Sequence, residues 1–117
     1  MHIVITRPKE DSLYLIENLI RLGHTVTHLP VIKIEKLETE KINLLNYQAV
    51  IFTSSNAIKF MNIEKFNSKI KCFCVGKTTE FFAKQAGFIN TYSSEGTVNS
   101  LIELVIRTLD SKSEKLL

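Results

Sequence analysis

Short apolar runs rich in β-branched residues alternate along this chain with stretches of helical period, and hydroxyl-bearing turns separate the two. Ile3-Val4-Ile5 opens the series as a strand. Asp11 or Ser12 then caps a helix carrying Leu15, Ile16, Leu19, Ile20 and Leu22, which stops before Gly23. Thr25-Val26-Thr27 starts a second strand toward Val31-Ile32, with Pro30 placing it at an edge or an exit. The pattern resumes with a strand from Ala49 to Thr53, a helix from Asn56 to Met61, a strand from Ile70 to Val75 and a helix from Thr79 to Ala86, closed by Gly87. Ile89 to Tyr92 reads as a further strand, and Val98, Leu101, Ile102, Val105 and Leu109 form one face of a long helix. Parallel strands need crossover connections, usually helices, so this alternation predicts an α/β fold with a parallel sheet covered on both faces.

The alternation breaks between residues 33 and 47, where Lys and Glu mix with scattered Ile and Leu. That suits a crossing segment followed by a short amphipathic helix around Thr39 to Leu45, and it marks a domain boundary. From Asp110 onward the chain is polar and reads as a fraying tail. With only 4 Gly and 2 Pro in 117 residues and 44% hydrophobic content, linker-rich and disordered classes are excluded. A net charge of +3, carried largely by Lys with Arg at Arg7, Arg21 and Arg107 alone, is poor equipment for bidentate reading of guanines or phosphates. Nucleic acid is therefore not an expected partner. No apolar run reaches the length of a signal h-region or a membrane span, and two cysteines imply no secreted framework, so a cytoplasmic protein away from membranes is expected.

In parallel α/β sheets ligands bind beyond the carboxyl ends of the strands, where helix N-termini present free N–H groups. Four turns fall there: Thr6-Arg7-Pro8, Thr53-Ser54-Ser55-Asn56, Gly76-Lys77-Thr78-Thr79 and Ser93-Ser94-Glu95-Gly96-Thr97. Aligned on one edge they would cradle carboxylates or phosphates. Ser, Thr and Asn are also the preferred helix caps, and taken singly each turn is explained by capping alone. Gly76-Lys77-Thr78 is not a phosphate loop, because Lys71 stands where that motif needs a glycine. The strand ends carry Thr6 and Ser54 where a Mg²⁺-binding receiver fold needs carboxylates. Cys72 and Cys74 alternate onto one face of a strand and read as core, while His2, His24 and His28 are too dispersed for a metal site, so none is expected.

Taken in order, Ile5-Thr6-Arg7-Pro8, Gly23-His24, Leu29-Pro30-Val31-Ile32-Lys33-Ile34-Glu35, Ile51-Phe52-Thr53-Ser54-Ser55-Asn56-Ala57, Val75-Gly76-Lys77-Thr78-Thr79 and Gly87-Phe88 resemble uroporphyrinogen-III synthase, the likeness running through nearly the whole chain. The resemblance implies Rossmann/flavodoxin-like α/β domains facing each other across a cleft in a two-domain synthase fold. It also implies an enzyme without a cofactor. Such an enzyme takes the linear hydroxymethylbilane, inverts its last pyrrole ring and closes the macrocycle with loss of water. On this reading residues 1–34 are a strand-helix-strand of an incomplete first domain, 35–48 the crossing segment, 49–110 an incomplete second domain and 111–117 the tail.

Residue by residue, the resemblance gives Thr79 the catalytic position. It also sets Ser54 on the cleft, with Thr6 and Arg7 at the edge of the other domain, and the polar turns add Ser55, Asn56, Gly76, Thr78 and Thr97 as expected contacts to a substrate whose eight carboxylates suit helix N-termini and small hydroxyls. The chain is about half a family member in length, so a missing C-terminal half is an expected partner, carrying the strand due next and the return crossing. A tyrosine that the family places in that half has no match in Tyr14, Tyr47 or Tyr92. The competing reading is a non-catalytic α/β module that binds an anionic ligand or a partner chain.

Overall fold

Gly23, at φ +84°, turns the chain out of its first helix and back toward its first strand. In the computed structural model, which describes residues 1–109 and 117, the backbone gathers into two units, Met1–Lys36 and Leu37–Leu117. In the first, β1 (His2–Ile5) and β2 (Thr25–His28) pair in parallel from His2↔Thr25 to Ile5↔His28, joined by α1 (Lys9–Arg21). The helix begins earlier than the caps suggest. Pro8 is its N-cap, and Ser12, fully buried inside the first turn, donates its hydroxyl to the Pro8 carbonyl at 2.9 Å. β2 ends at His28, short of Val31-Ile32, because Pro30 has no N–H for the ladder; beyond it only the Leu29 and Val31 amides reach back, to the carbonyls of Ile5 and Thr6. One helix cannot cover a two-stranded sheet, so Ile5 is the one buried apolar residue of this unit, while Val4, Leu13, Leu15 and Ile20 stay exposed.

The second unit opens differently from the sequence reading. The helix expected over Thr39 to Leu45 is absent: β3 (Ile42–Asn43) pairs in parallel with β5 (Ile63–Lys65), and Leu44–Asn46 forms a 3₁₀ turn. Asn43 caps that turn, its side chain accepting from the Leu45 amide at 3.0 Å. Pairing across about twenty residues has overridden a local helical pattern. The strand β5 was not foreseen, lying in a stretch with no alternation long enough to mark it.

The rest of the unit is the expected parallel α/β sheet. β4 (Ala49–Phe52), β6 (Lys71–Cys74) and β7 (Thr91–Ser93) lie in the order β4-β6-β7, all parallel, with Phe52↔Cys74↔Ser93 in register. α2 (Ser55–Phe60), α3 (Gly76–Gln85) and α4 (Val98–Thr108) follow β4, β6 and β7. Val50, Phe52, Cys72 and Cys74 on one sheet face pack with Ile58, Ala83 and Phe88, and Ala49 and Phe73 on the other pack under Leu101 of α4. The alternation of Cys72, Phe73 and Cys74, each with no exposed surface, fills both sides of the middle strand, as a fully covered parallel sheet requires. The tail expected over 111–117 lies outside the described residues apart from Leu117. Among the described residues no helix is long and apolar enough to cross a membrane.

Phe73 has no exposed surface and stacks on Tyr92 at a ring-centroid distance of 5.2 Å. Phe73→Ala should therefore cost about 3–5 kcal/mol, a large part of the stability of a domain this size. Denaturant unfolding followed by circular dichroism measures it, and a loss below about 1 kcal/mol would mean that α4 does not seal this face.

Candidate functional site

The three turns that follow β4, β6 and β7 leave the sheet at one level. The ladder runs one residue past each strand pair, with the Val75 amide donating to Phe52 O at 3.0 Å and the Ser94 amide to Cys74 O at 2.9 Å. Ser54, Gly76 and the Ser94–Thr97 turn are thus neighbours along the carboxyl edge. Two of these turns touch through glycine: a Cβ on Gly76 would sit 3.5 Å from the Gly96 Cα, and Gly76 itself has φ +80°. An L-residue at position 76 would be strained by its backbone before it met its neighbour.

The turns differ in what they leave free. At α2 the Ser54 hydroxyl accepts from the Asn56 amide at 3.2 Å, and at α4 Thr97 and Ser100 form a reciprocal capping box with the Ser100 amide donating to Thr97 Oγ1 at 3.2 Å. Capping therefore occupies both hydroxyls. α3 is the exception. Its N-cap is Val75, which has no side chain able to cap, and its first turn has no acidic residue, so the positive end of the helix carries no side-chain acceptor of its own. Within that turn Thr79 is 5% exposed, and its hydroxyl has no hydrogen-bond partner among the described residues. The helix starts at Gly76, three residues before the start read from sequence, so Thr79 lies inside the first turn. Thr78 beside it is exposed, and Ser55 and Asn56 are half-buried in α2. Thr6 and Arg7 belong to the first unit, where both are exposed and their carbonyls accept from the Val31 amide at 3.1 Å and from His28 Nε2 at 2.8 Å.

Glu80 is the residue that the turns alone do not reveal. Nearly buried on α3, it accepts from Lys77 at 3.0 Å, Lys84 at 2.9 Å and the Thr91 hydroxyl at 3.2 Å, tying the helix to β7. Its signal was in the sequence, as Lys77 and Lys84 stand three residues before it and four after. Hydrogen bonds from Lys84, Ser93 and Lys77 pull its carboxyl down to about 2. The Sγ contact with Cys74 at 3.8 Å, together with burial, pushes the Cys72 thiol above its ordinary range, and the same contact draws Cys74 down. Among the described residues no group of three or more His, Cys, Asp or Glu side chains could hold a metal ion.

A carboxyl lowered by folding from about 4.5 to about 2 stabilises the protein fully above the higher value, and this stabilisation fades as pH falls through the lower one. With both lysine partners exposed, its contribution is discounted to roughly 1–2 kcal/mol. Glu80→Gln should lower stability by that amount at pH 7 and by progressively less toward pH 2. Urea midpoints across that window report it, and a pH-independent difference would show that the ion pairs contribute nothing.

A family model described as uroporphyrinogen-III synthase HemD matches residues 14–117. A similar protein, the porphyrin biosynthesis protein HemD of Ruminiclostridium josui, is 29% identical over 129 aligned positions, which take in 98% of this chain and 26% of that relative. The chain thus spans about a quarter of the relative's length. With the match taking in the whole of the second unit and the first unit from Tyr14 onward, the chain belongs to the uroporphyrinogen-III synthase family.

Proposed function

We propose that the second unit forms one wall of a cleft for hydroxymethylbilane, in a cytoplasmic, cofactor-free uroporphyrinogen-III synthase. The observation that carries this reading is the uncapped N-terminus of α3, with the buried Thr79 hydroxyl in its first turn and the Ser54 and Thr97 turns beside it. A polycarboxylate needs such a place: the helix end and backbone amides accept anionic groups without burying a lysine against them. Thr78 and the Gly76 backbone extend the same surface, and Ser55 and Asn56 offer polar side chains next to Ser54.

In this reading Thr79 donates toward the reacting end of the bilane. The substrate's C–O bond breaks as a proton from solvent reaches the leaving oxygen, which departs as water while the Thr79 hydroxyl hydrogen-bonds to it. Preorganised donors then hold the resulting cation while the last ring closes in inverted orientation. Thr6 and Arg7, at the first unit's own strand-to-helix turn, offer a hydroxyl and a guanidinium to carboxylates. The 117-residue chain alone holds one wall of the cleft and does not catalyse. A second reading draws on the capping bonds of Ser54 and Thr97. If these hydroxyls serve only their helices, the unit is a non-catalytic module for an anionic ligand or a partner chain.

The two readings separate by mutation in a full-length synthase carrying this sequence. Thr79→Ala should lower turnover by roughly 10²–10³-fold, and Ser54→Ala should lower it less while costing about 1 kcal/mol of stability as a lost cap. A Thr79→Ala protein with a lower melting temperature and intact turnover would leave capping and packing as the whole account. For the isolated chain, oxidised products of hydroxymethylbilane should show the isomer ratio of spontaneous closure. An excess of the inverted isomer would show that one wall suffices.

A further inference from the structure

Lys77 stands where helix electrostatics disfavours a cation. As the second residue of α3 it lies in the first turn, beside the uncapped amides, where the helix dipole repels positive charge. Glu80, three residues on, compensates it, Oε2 accepting from Lys77 Nζ at 3.0 Å. The dependence of Glu80 on Lys77 is weaker. Its other oxygen, Oε1, accepts from Lys84 at 2.9 Å and from the Thr91 hydroxyl at 3.2 Å. Lys84 leads the groups that hold this carboxyl down at about 2, ahead of Ser93 and Lys77. The two cations also differ in placement, since Lys84 lies in the last turn, where the dipole favours it. The Lys77 side chain is 86% exposed, and an ion pair that open adds little to stability.

We propose that Lys77 is a transferable cation, which leaves Glu80 for a carboxylate of the anionic substrate at the open end of α3 while Lys84 and Thr91 keep Glu80 paired. This rests on the reading of that helix end as part of a substrate-binding wall, and it names the residue that brings a full positive charge to it. The Cα–Cβ bond of a helical residue tilts toward the helix N-terminus, so unbending the side chain from Glu80 carries the ammonium back toward the start of α3. An anion there draws the amides and the ammonium together, and the dipole that opposed Lys77 no longer does. The Thr79 hydroxyl, buried in the same turn and without a partner among the described residues, is a second group left to a ligand. The exchange confers specificity. A neutral ligand gives nothing in return for the broken Lys77–Glu80 pair, so the turn selects carboxylates.

The test is an NMR titration of the chain with uroporphyrin, a tetrapyrrole octacarboxylate, at about 0.15 M salt, where charges more than about 8 Å apart are largely screened. Saturation should shift the amides of residues 76–79 and the Lys77 side-chain Nζ and Cε, leaving those of Lys84 in place. Lys77→Gln should weaken binding roughly fivefold, as the loss of one exposed ion pair does, and Lys77→Arg should stay near the native affinity. Lys84→Gln removes a charge from the same carboxylate about 10 Å further along the helix and should weaken binding less than about twofold. In each variant the Cys72 amide, bonded to Asn90 O at 2.8 Å, reports an intact sheet. Equal losses from Lys77→Gln and Lys84→Gln, with the amides of residues 76–79 still shifting, would overturn the transfer and leave the binding wall standing. A titration that moves none of those amides would overturn the wall itself, and this proposal with it.

Discussion

The parallel pairing of β6 between β4 and β7 is the constraint from which the rest of the second unit follows. A middle strand has no solvent side, so Cys72, Phe73 and Cys74 all had to be apolar, and helices had to arrive on both faces to cover them. Parallel pairing also forces every connection to cross back over the sheet. That places each strand-to-helix turn on the same edge, and the candidate site is a by-product of this rule. The first unit shows the same logic with fewer parts: one crossover, one helix, and a sheet too narrow to bury more than Ile5 among its apolar residues.

The site depends on a division of labour among chemically similar turns. Ser54 and Thr97 complete their helices, while α3 begins at Val75 and Gly76 with nothing to complete it. What distinguishes the α3 turn is therefore an absence of local satisfaction. Helix ends that satisfy themselves stabilise the fold, and helix ends left open are where an anionic ligand gains most. Glu80 adds to this by anchoring α3 to β7 through Thr91, and it draws Lys77 and Lys84 toward itself on the same helix.

The parallel sheet and the helices after it were legible because each of its strands ends in a polar turn and the longer helices keep their period over two turns or more, as Val98, Leu101 and Val105 do. Where the reading failed, a longer-range contact had outweighed a local one. Ile42 and Asn43 pair with Ile63 and Lys65, a contact no local period announces, so a stretch of helical appearance became strand and 3₁₀ turn. Gly76-Lys77-Thr78 looked like a loop because glycine and two polar residues suggest one, yet Gly76 at φ +80° lets the helix start at once. This shift moved Thr79 from the rim into the first turn. That four hydroxyl turns exist was plain from composition, but which hydroxyls were already engaged required three-dimensional partners.

The two cysteines, set aside as packing, have a consequence of their own. Both lie fully buried on the central strand, on the face closed by α2 and α3, and the Cys72 thiol resists ionisation while it stays there. Neither sulfur meets an alkylating reagent through a frayed helix end or a loosened turn, since reaching them means lifting α2 and α3 off the sheet. Their rate of modification thus gauges how often that layer lifts, and the molecule carries a built-in clock for its own opening.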